Sequence, residues 1–404
     1  MISTRGPIVI KSLAVLALVA AGYCAVTRSV ATALSRSDPL LALNVSASDG
    51  RVKASAALLM MQRAGTDNDR GQARRLAEEA FARDGTAVPA ATTLALYAGV
   101  TGNTVLGEKW FGYAERLSRR DLPTELYFIE TNVSNGDVAG ALHHYDIALR
   151  TSSERAPEVL YPVLRNAVAD ETIRRELAKT LAARPIWTEN FVAELVGKGP
   201  DYVAAAELLT DARRRGAVFS HGLDENLLSV LIRNGQIPIA WRYYVAAHPG
   251  ADREMLRNTS FAENGSSNSP FDWQPIPGDG ISVSLGAGDN RKGLEYRLSP
   301  TTGGPVVNQI TLLGGGKYRL SSVLTTASQM VGAGPYWSIK CIDSRPIATL
   351  ELGGPADKPK TFATEFTVPP NCSALNVTLI VRSSDDVQGA SGQVTSVSIE
   401  RVPQ

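Results

Sequence analysis

The chain has 404 residues, with 41 Lys and Arg against 40 Asp and Glu. A formal net charge of +1 supplies no field to steer it onto nucleic acid. Its length and 44% hydrophobic content provide for at least two cores and argue against one compact domain. A lean toward Ala, Leu, Arg and Gly suits a high-GC bacterium. At the N-terminus, Arg5 and Lys11 precede an apolar run, residues 12–26, closed by Thr27 and Arg28. Residues 7–10 and a snorkelling Lys11 extend it to about 20 residues, enough to cross a bilayer. Residues 1–36 are therefore expected to form a retained signal anchor, single-pass in the bacterial inner membrane, with the bulk of the chain periplasmic. Cleavage at the small-x-small site Ala31-Thr32-Ala33 is the alternative. Cys24 follows Tyr23, where a lipoprotein signal carries a small residue, which argues against lipidation.

From residue 37 to 250 hydrophobic positions recur every three or four residues, broken at Gly, Asn, Asp and Pro. Ala73, Gly107 and Ala141 stand 34 positions apart, and so do Ala80, Ala114 and Ala148. A constant period with small residues at matching places marks stacked helical hairpins in close approach. The spacing predicts helices 51–63 with 71–83, 90–100 with 105–119, and 124–133 with 138–150. Each second helix opens after a turn signal: Asp67-Asn68-Asp69, Gly102-Asn103-Thr104 or Asn135-Gly136-Asp137. Helices 157–169 and 171–182 are expected to pair irregularly, and Ala205 and Ala240, 35 apart, mark further hairpins. Five to six hairpins follow.

Leu94, Ala95, Gly102, Gly107, Phe111 and Ala114, then Phe128, Gly136, Ala141, Tyr145 and Ala148, occupy packing positions on which the chain resembles the tetratricopeptide repeat family. The family's first-helix Trp and Tyr are mostly replaced, and Gly85 and Arg119 stand where its closing Pro falls. The resemblance implies a TPR-like α-solenoid whose concave face takes an extended peptide or a partner helix. Peptide clamps of the family carry Lys, Arg and Asn on the inner helices, which makes Asn132, Arg165, Asn166 and Arg233 the candidate peptide groove. Solvated surface residues are the alternative. His143 and His144 point about 100° apart on a helix, so they are not expected to share a metal.

After residue 250 the composition turns polar, and 251–270 reads as a linker. The period then becomes two, with strands expected at 281–285, 318–324, 361–368, 375–381 and 394–401. Eight to ten strands are expected over residues 271–404, as an antiparallel β-sandwich. Export would place Cys341 and Cys372 in an oxidising compartment, where they are expected to form a disulfide; two buried free thiols are the alternative. Phe271-Asp-Trp273, the run 309–320, Phe366-Thr-Val-Pro-Pro370 and the final strand 392–401 are similar to the galactose-binding-like jelly rolls of carbohydrate-binding modules. Ser396 and Ser398 stand where that family carries an Asp for calcium, and no cofactor or metal is expected. Sugar binding in such folds needs rings to stack on pyranose faces and planar polar groups beside them. The candidates are Trp273, Tyr296, Arg297, Tyr336 and Trp337, with core packing as the alternative.

Gly314-Gly-Gly-Lys317 resembles a phosphate loop, but Tyr318 replaces the required Ser or Thr, so it reads as a hairpin turn. No H-E-x-x-H or G-x-S-x-G occurs, and Asp289-Asn-Arg291 and Ser384-Asp-Asp386 read as turns. No catalytic residue is assigned. The expectation is a non-enzymatic, membrane-anchored envelope adaptor in exopolysaccharide or capsule assembly. Its repeats would hold an envelope protein, and its strands would contact polysaccharide or a second protein. The alternatives are a structural assembly factor that binds no glycan, and a glycan-processing enzyme.

Overall fold

The computed structural model describes residues 6–252, 255–262, 269–286, 293–328, 334–353 and 358–403; the turn expected at Asp289-Asn-Arg291 lies outside them. The chain is helical first and stranded second. The helices are α1 (Gly6–Ser37), α2 (Pro39–Val45), α3 (Gly50–Arg63), α4 (Asp67–Arg83), α5 (Val88–Val100), α6 (Thr104–Leu117), α7 (Leu122–Ser134) and α8 (Val138–Thr151). There follow α9 (Arg155–Ala167), α10 (Glu171–Ala182), α11 (Thr188–Lys198), α12 (Tyr202–Arg214), α13 (His221–Arg233) and α14 (Ile237–Ala247). The chain forms two compact units, Met1–Val163 and Leu164–Gln404, divided inside α9.

In the first unit, two of the three turn signals act as expected, whereas Asp67-Asn68-Asp69 forms the first turn of α4 itself, capped by Thr66 in a capping box with Asp69. The Asn103 side chain accepts from the Leu106 amide and Asp137 from the Gly140 amide, each satisfying a donor at a helix start. Gly102 and Gly136, one period apart, sit at φ +80° and +73°, a conformation a β-carbon disfavours. The hairpins close on small residues: Ala73, Ala77, Ala80 and Ala114 are wholly buried, as are Ala141 and Ala148 within a few per cent. A β-carbon placed on Gly107 would lie 3.4 Å from the Ala95 carbonyl oxygen, so α5 and α6 approach closely there. At the N-terminus, α1 is long and apolar enough to cross a membrane, with mean hydropathy 1.2 over Leu18–Ser37. A signal sequence has the same composition. Ala31 of α1 is buried with Ala42 of α2 and Val52 of α3.

The second unit carries α10–α14 and ten strands among the described residues. These are β1 (Gln274–Pro275), β2 (Ile281–Leu285), β3 (Leu294–Leu298), β4 (Gly304–Thr311) and β5 (Gly316–Ala327). The rest are β6 (Tyr336–Cys341), β7 (Pro346–Glu351), β8 (Lys360–Val368), β9 (Leu375–Val381) and β10 (Ala390–Arg401). They form two five-stranded antiparallel sheets, ordered β1-β4-β9-β6-β7 and β2-β3-β10-β5-β8. One hydrophobic cluster draws on both sheets, with Trp337, Ile339, Val377 and Leu379 from the first and Tyr296, Tyr318, Leu320 and Val397 from the second. Cys341 and Cys372 form the expected disulfide, with Cα atoms 5.7 Å apart.

The stretch read as a polar linker differs from that expectation where it is described. Leu256 and Phe261 are buried in the cluster of the sheets, where the Phe261 ring packs against Trp273 with centroids 5.3 Å apart. The Arg257 amide donates to Gln309 Oε1, and Gln309 Nε2 returns a bond to the Arg257 carbonyl. The last helix is joined to the same region. Tyr244 of α14 donates to Asp272 at 2.7 Å, Arg257 pairs with Asp272 at 2.8 Å, and Trp241 meets Phe271 edge-on.

Candidate binding surfaces

Three of the five candidate glycan residues are interior. Trp273, Tyr296 and Trp337 are buried to 2% exposure or less, and the two tryptophan rings lie 5.5 Å apart inside the core. A ring enclosed on both faces has none left for a pyranose, so these residues act as core and not as a stacking platform. Trp337 also donates from its indole nitrogen to Ser322 across the core at 3.0 Å. Burial without a partner for its hydroxyl pushes the Tyr296 phenol well above its ordinary range.

The other two point outward on different sheets. Tyr336 precedes the inward-facing Trp337, so it faces the opposite side of β6, on a surface shared with Ser338 and Lys340. Register places Ile380, Thr378 and Asn376 of β9 beside them, and Asn308 of β4 next to Thr378. The Arg382 guanidinium lies 4.3 Å from the Tyr336 ring centroid and is fixed by both Glu351 oxygens at 2.7 Å. That pairing holds the Glu351 carboxyl below the usual carboxylate range. Arg297, exposed on β3, lines a separate shallow cavity with Gln388.

The candidate peptide groove is dispersed. Asn132 lies in the first unit, where its amide is occupied by the Phe128 carbonyl at 2.7 Å. Arg165, in the second, is half-buried and paired with Glu194 at 2.7 Å. Asn166 and Arg233 are exposed.

Two cavities among the helices were not anticipated. The first, of about 670 Å³, opens between α4, α5 and α6. Its walls include Phe81, Tyr97, Leu106 and Trp110, and Arg74 lies over the Tyr97 ring at 5.1 Å. The second, of about 330 Å³, lies between α10, α12 and α14 and is lined by Arg174, Arg175, Arg214, Arg215 and Arg242. Three carboxylates share it: Glu207 pairs with Arg174 at 3.1 Å, Asp211 with Arg215 at 3.2 Å and Glu171 with Arg175 at 3.8 Å. Arg214 and Arg242 make no ion pair among the described residues. The signal in the sequence is the doublet Arg174-Arg175 and the triplet Arg213-Arg214-Arg215 on the second helices, which the inner-helix pattern of the tetratricopeptide repeat resemblance does not include.

No family model and no curated protein matches this chain. Among solved structures, it is similar over 36% of its length to an arabinose-bound α-L-arabinofuranosidase, MgGH51, at 14% identity and TM-score 0.28. It spans only 26% of that enzyme. The CBM22-1 xylan-binding domain from Paenibacillus barcinonensis Xyn10C matches over 38% of this chain and 99% of its own, at 14% identity and TM-score 0.26. PilW, a type IV pilus biogenesis factor, matches over 50% and 95%, at 16% identity and TM-score 0.26. At these scores the likenesses carry no argument about fold or role, which rest on the chain's own geometry.

Proposed function

We propose that the chain is a non-enzymatic envelope adaptor. In this reading the hairpins form a TPR-like solenoid that holds a partner protein, and the two sheets form a jelly-roll sandwich that contacts polysaccharide or a second protein. The single observation that carries it is the regular stack of hairpins closed on buried alanines, an architecture that displays extended surface instead of enclosing a reaction. The buried disulfide supports export. Retention of α1 as an inner-membrane anchor is supported by Ala31, because cleavage after Ala33 would strip a buried residue from the cluster with Ala42 and Val52. The surface proposed for polysaccharide is the outer face of β6, β9 and β4, with Tyr336 as its ring and Asn376, Thr378 and Asn308 as polar partners. Exopolysaccharide or capsule assembly is the setting this combination suits.

The test is photo-crosslinking in cells from Val105 and Val133, both exposed on the hairpins, together with fractionation. The reading expects a discrete envelope protein crosslinked to a membrane-bound chain. A soluble periplasmic chain beginning near Thr32, or no crosslinked protein from any hairpin, would overturn it. A second reading, an assembly factor that binds no glycan, is favoured by the burial of Trp273, Tyr296 and Trp337. Affinity electrophoresis in polysaccharide gels separates the two: retardation that Tyr336→Ala abolishes supports glycan contact, and unretarded migration supports the second reading.

A further inference from the structure

We infer that the arginine-lined cavity between α10, α12 and α14 anchors an acidic segment of the partner polypeptide, an inference that rests on the adaptor reading above. The guanidiniums come from three successive second helices, so an extended chain laid across them meets each in turn. Arg214 and Arg242 are exposed and pair with no carboxylate among the described residues, which leaves two planar forks for bidentate pairing with carboxylates from outside. Arg174 also donates to the Val168 and Ala169 carbonyls and serves the fold, and the partly exposed ion pairs contribute little to folding, but none of these contacts uses Arg214 or Arg242.

The carboxylates decide the class of ligand. Glu171, Glu207 and Asp211 share the cavity and repel a uniformly anionic chain such as a polyuronate or an anionic membrane surface. A polypeptide can place acidic side chains on Arg214 and Arg242 and basic or neutral ones opposite these carboxylates. Ile239 in the same wall offers an apolar contact to its stem.

The experiment measures fluorescence anisotropy of a fluorescein-labelled peptide in which glutamates alternate with serine and lysine, so that acidic side chains can meet Arg214 and Arg242 and neutral or basic ones the carboxylates, with the full-length protein in detergent. The wild type is expected to bind in a salt-sensitive manner, and Arg214→Glu with Arg242→Glu to weaken binding about tenfold or more. Arg297→Glu, on the sheets, serves as a charge control and is expected to change nothing. The milder pair Arg214→Gln and Arg242→Gln, checked by circular dichroism, keeps the test valid should charge reversal unfold the helices. Three results overturn the inference: no peptide binding, equal loss with Arg297→Glu, or displacement by polygalacturonate at lower concentrations than by unlabelled peptide. Crosslinking separates this from the broader reading. A partner still captured by the double variant refutes only the anchor, whereas no partner captured by the wild type refutes the adaptor and the anchor together.

Discussion

The helix crossings of the first unit close on alanine, and the centre between the sheets is filled by rings. Ala73, Ala80, Ala114 and Ala148 are fully buried at the helix crossings, whereas Trp273, Tyr296, Tyr318 and Trp337 fill the centre between the sheets. The helical units also bury charge. Glu125 is inaccessible beside His144 at 2.8 Å, Lys53 is paired with Glu79, and Arg213 meets Asp224 and Tyr243. The largest buried side chains of the sheet core are neutral. Thin helical layers keep charged groups near one another and near water, whereas the core between the sheets holds neutral groups, with polar ones such as Ser322 hydrogen-bonded across it. A crossing set by small residues should therefore fail when atoms are added, and a core set by rings should fail when atoms are removed.

The sharpest test is truncation in the sheet core. Trp337→Ala removes a fully buried indole and leaves the Ser322 hydroxyl without its donor, so it should cost about 3–5 kcal/mol in urea unfolding. Next is the crosslink between Cys341 and Cys372, 31 positions apart. Cys341→Ser with Cys372→Ser should destabilise the second unit by about 3–4 kcal/mol through the entropy returned to the unfolded chain. An unchanged melt of the oxidised and reduced protein would remove the disulfide from the stability of that unit.

Addition at a crossing comes third. Ala141→Leu should overpack α7 against α8 and cost about 1–3 kcal/mol. An unchanged melting temperature would show that the crossing has slack. Glu125 tests the buried charge. Burial raises its folded-state pKa above the ordinary 4.5, more than the bond from His144 lowers it. The unfolded chain therefore gives up this proton first, and the stabilisation it provides, full below about pH 4.5, is lost as pH rises through the raised value. Glu125→Gln, which keeps a hydrogen-bonding side chain, should flatten the fall in stability just above pH 4.5. A profile identical to wild type would dissociate the fall from Glu125. The smallest effect separates "small" from "glycine only". A β-carbon on Gly107 meets Ala95 at ordinary contact distance, so Gly107→Ala should be neutral or stabilise α6 by about 0.5 kcal/mol. A loss would mean that the crossing requires glycine itself.

Much of this organisation is legible in the residues alone, for physical reasons. A 34-residue period forces every matching small residue to the same crossing, so the hairpins from α3 to α8 follow from spacing. Asn103 and Asp137 read as helix starts because an oxygen there satisfies an amide nothing else can reach. The change to a period of two after residue 270 announces strands, and two cysteines within that stranded region point to one bridge. What only the tertiary structure decided is which side of each strand is inside and which distant charges share a wall. Tyr336 and Trp337 are neighbours, and alternation requires that they face opposite ways without saying which faces in. The answer came from the second sheet, which encloses Trp337 and leaves Tyr336 to Arg382. Arg174, Arg214 and Arg242 are likewise far apart along the chain, and only the stacking of three helices brings them around one cavity.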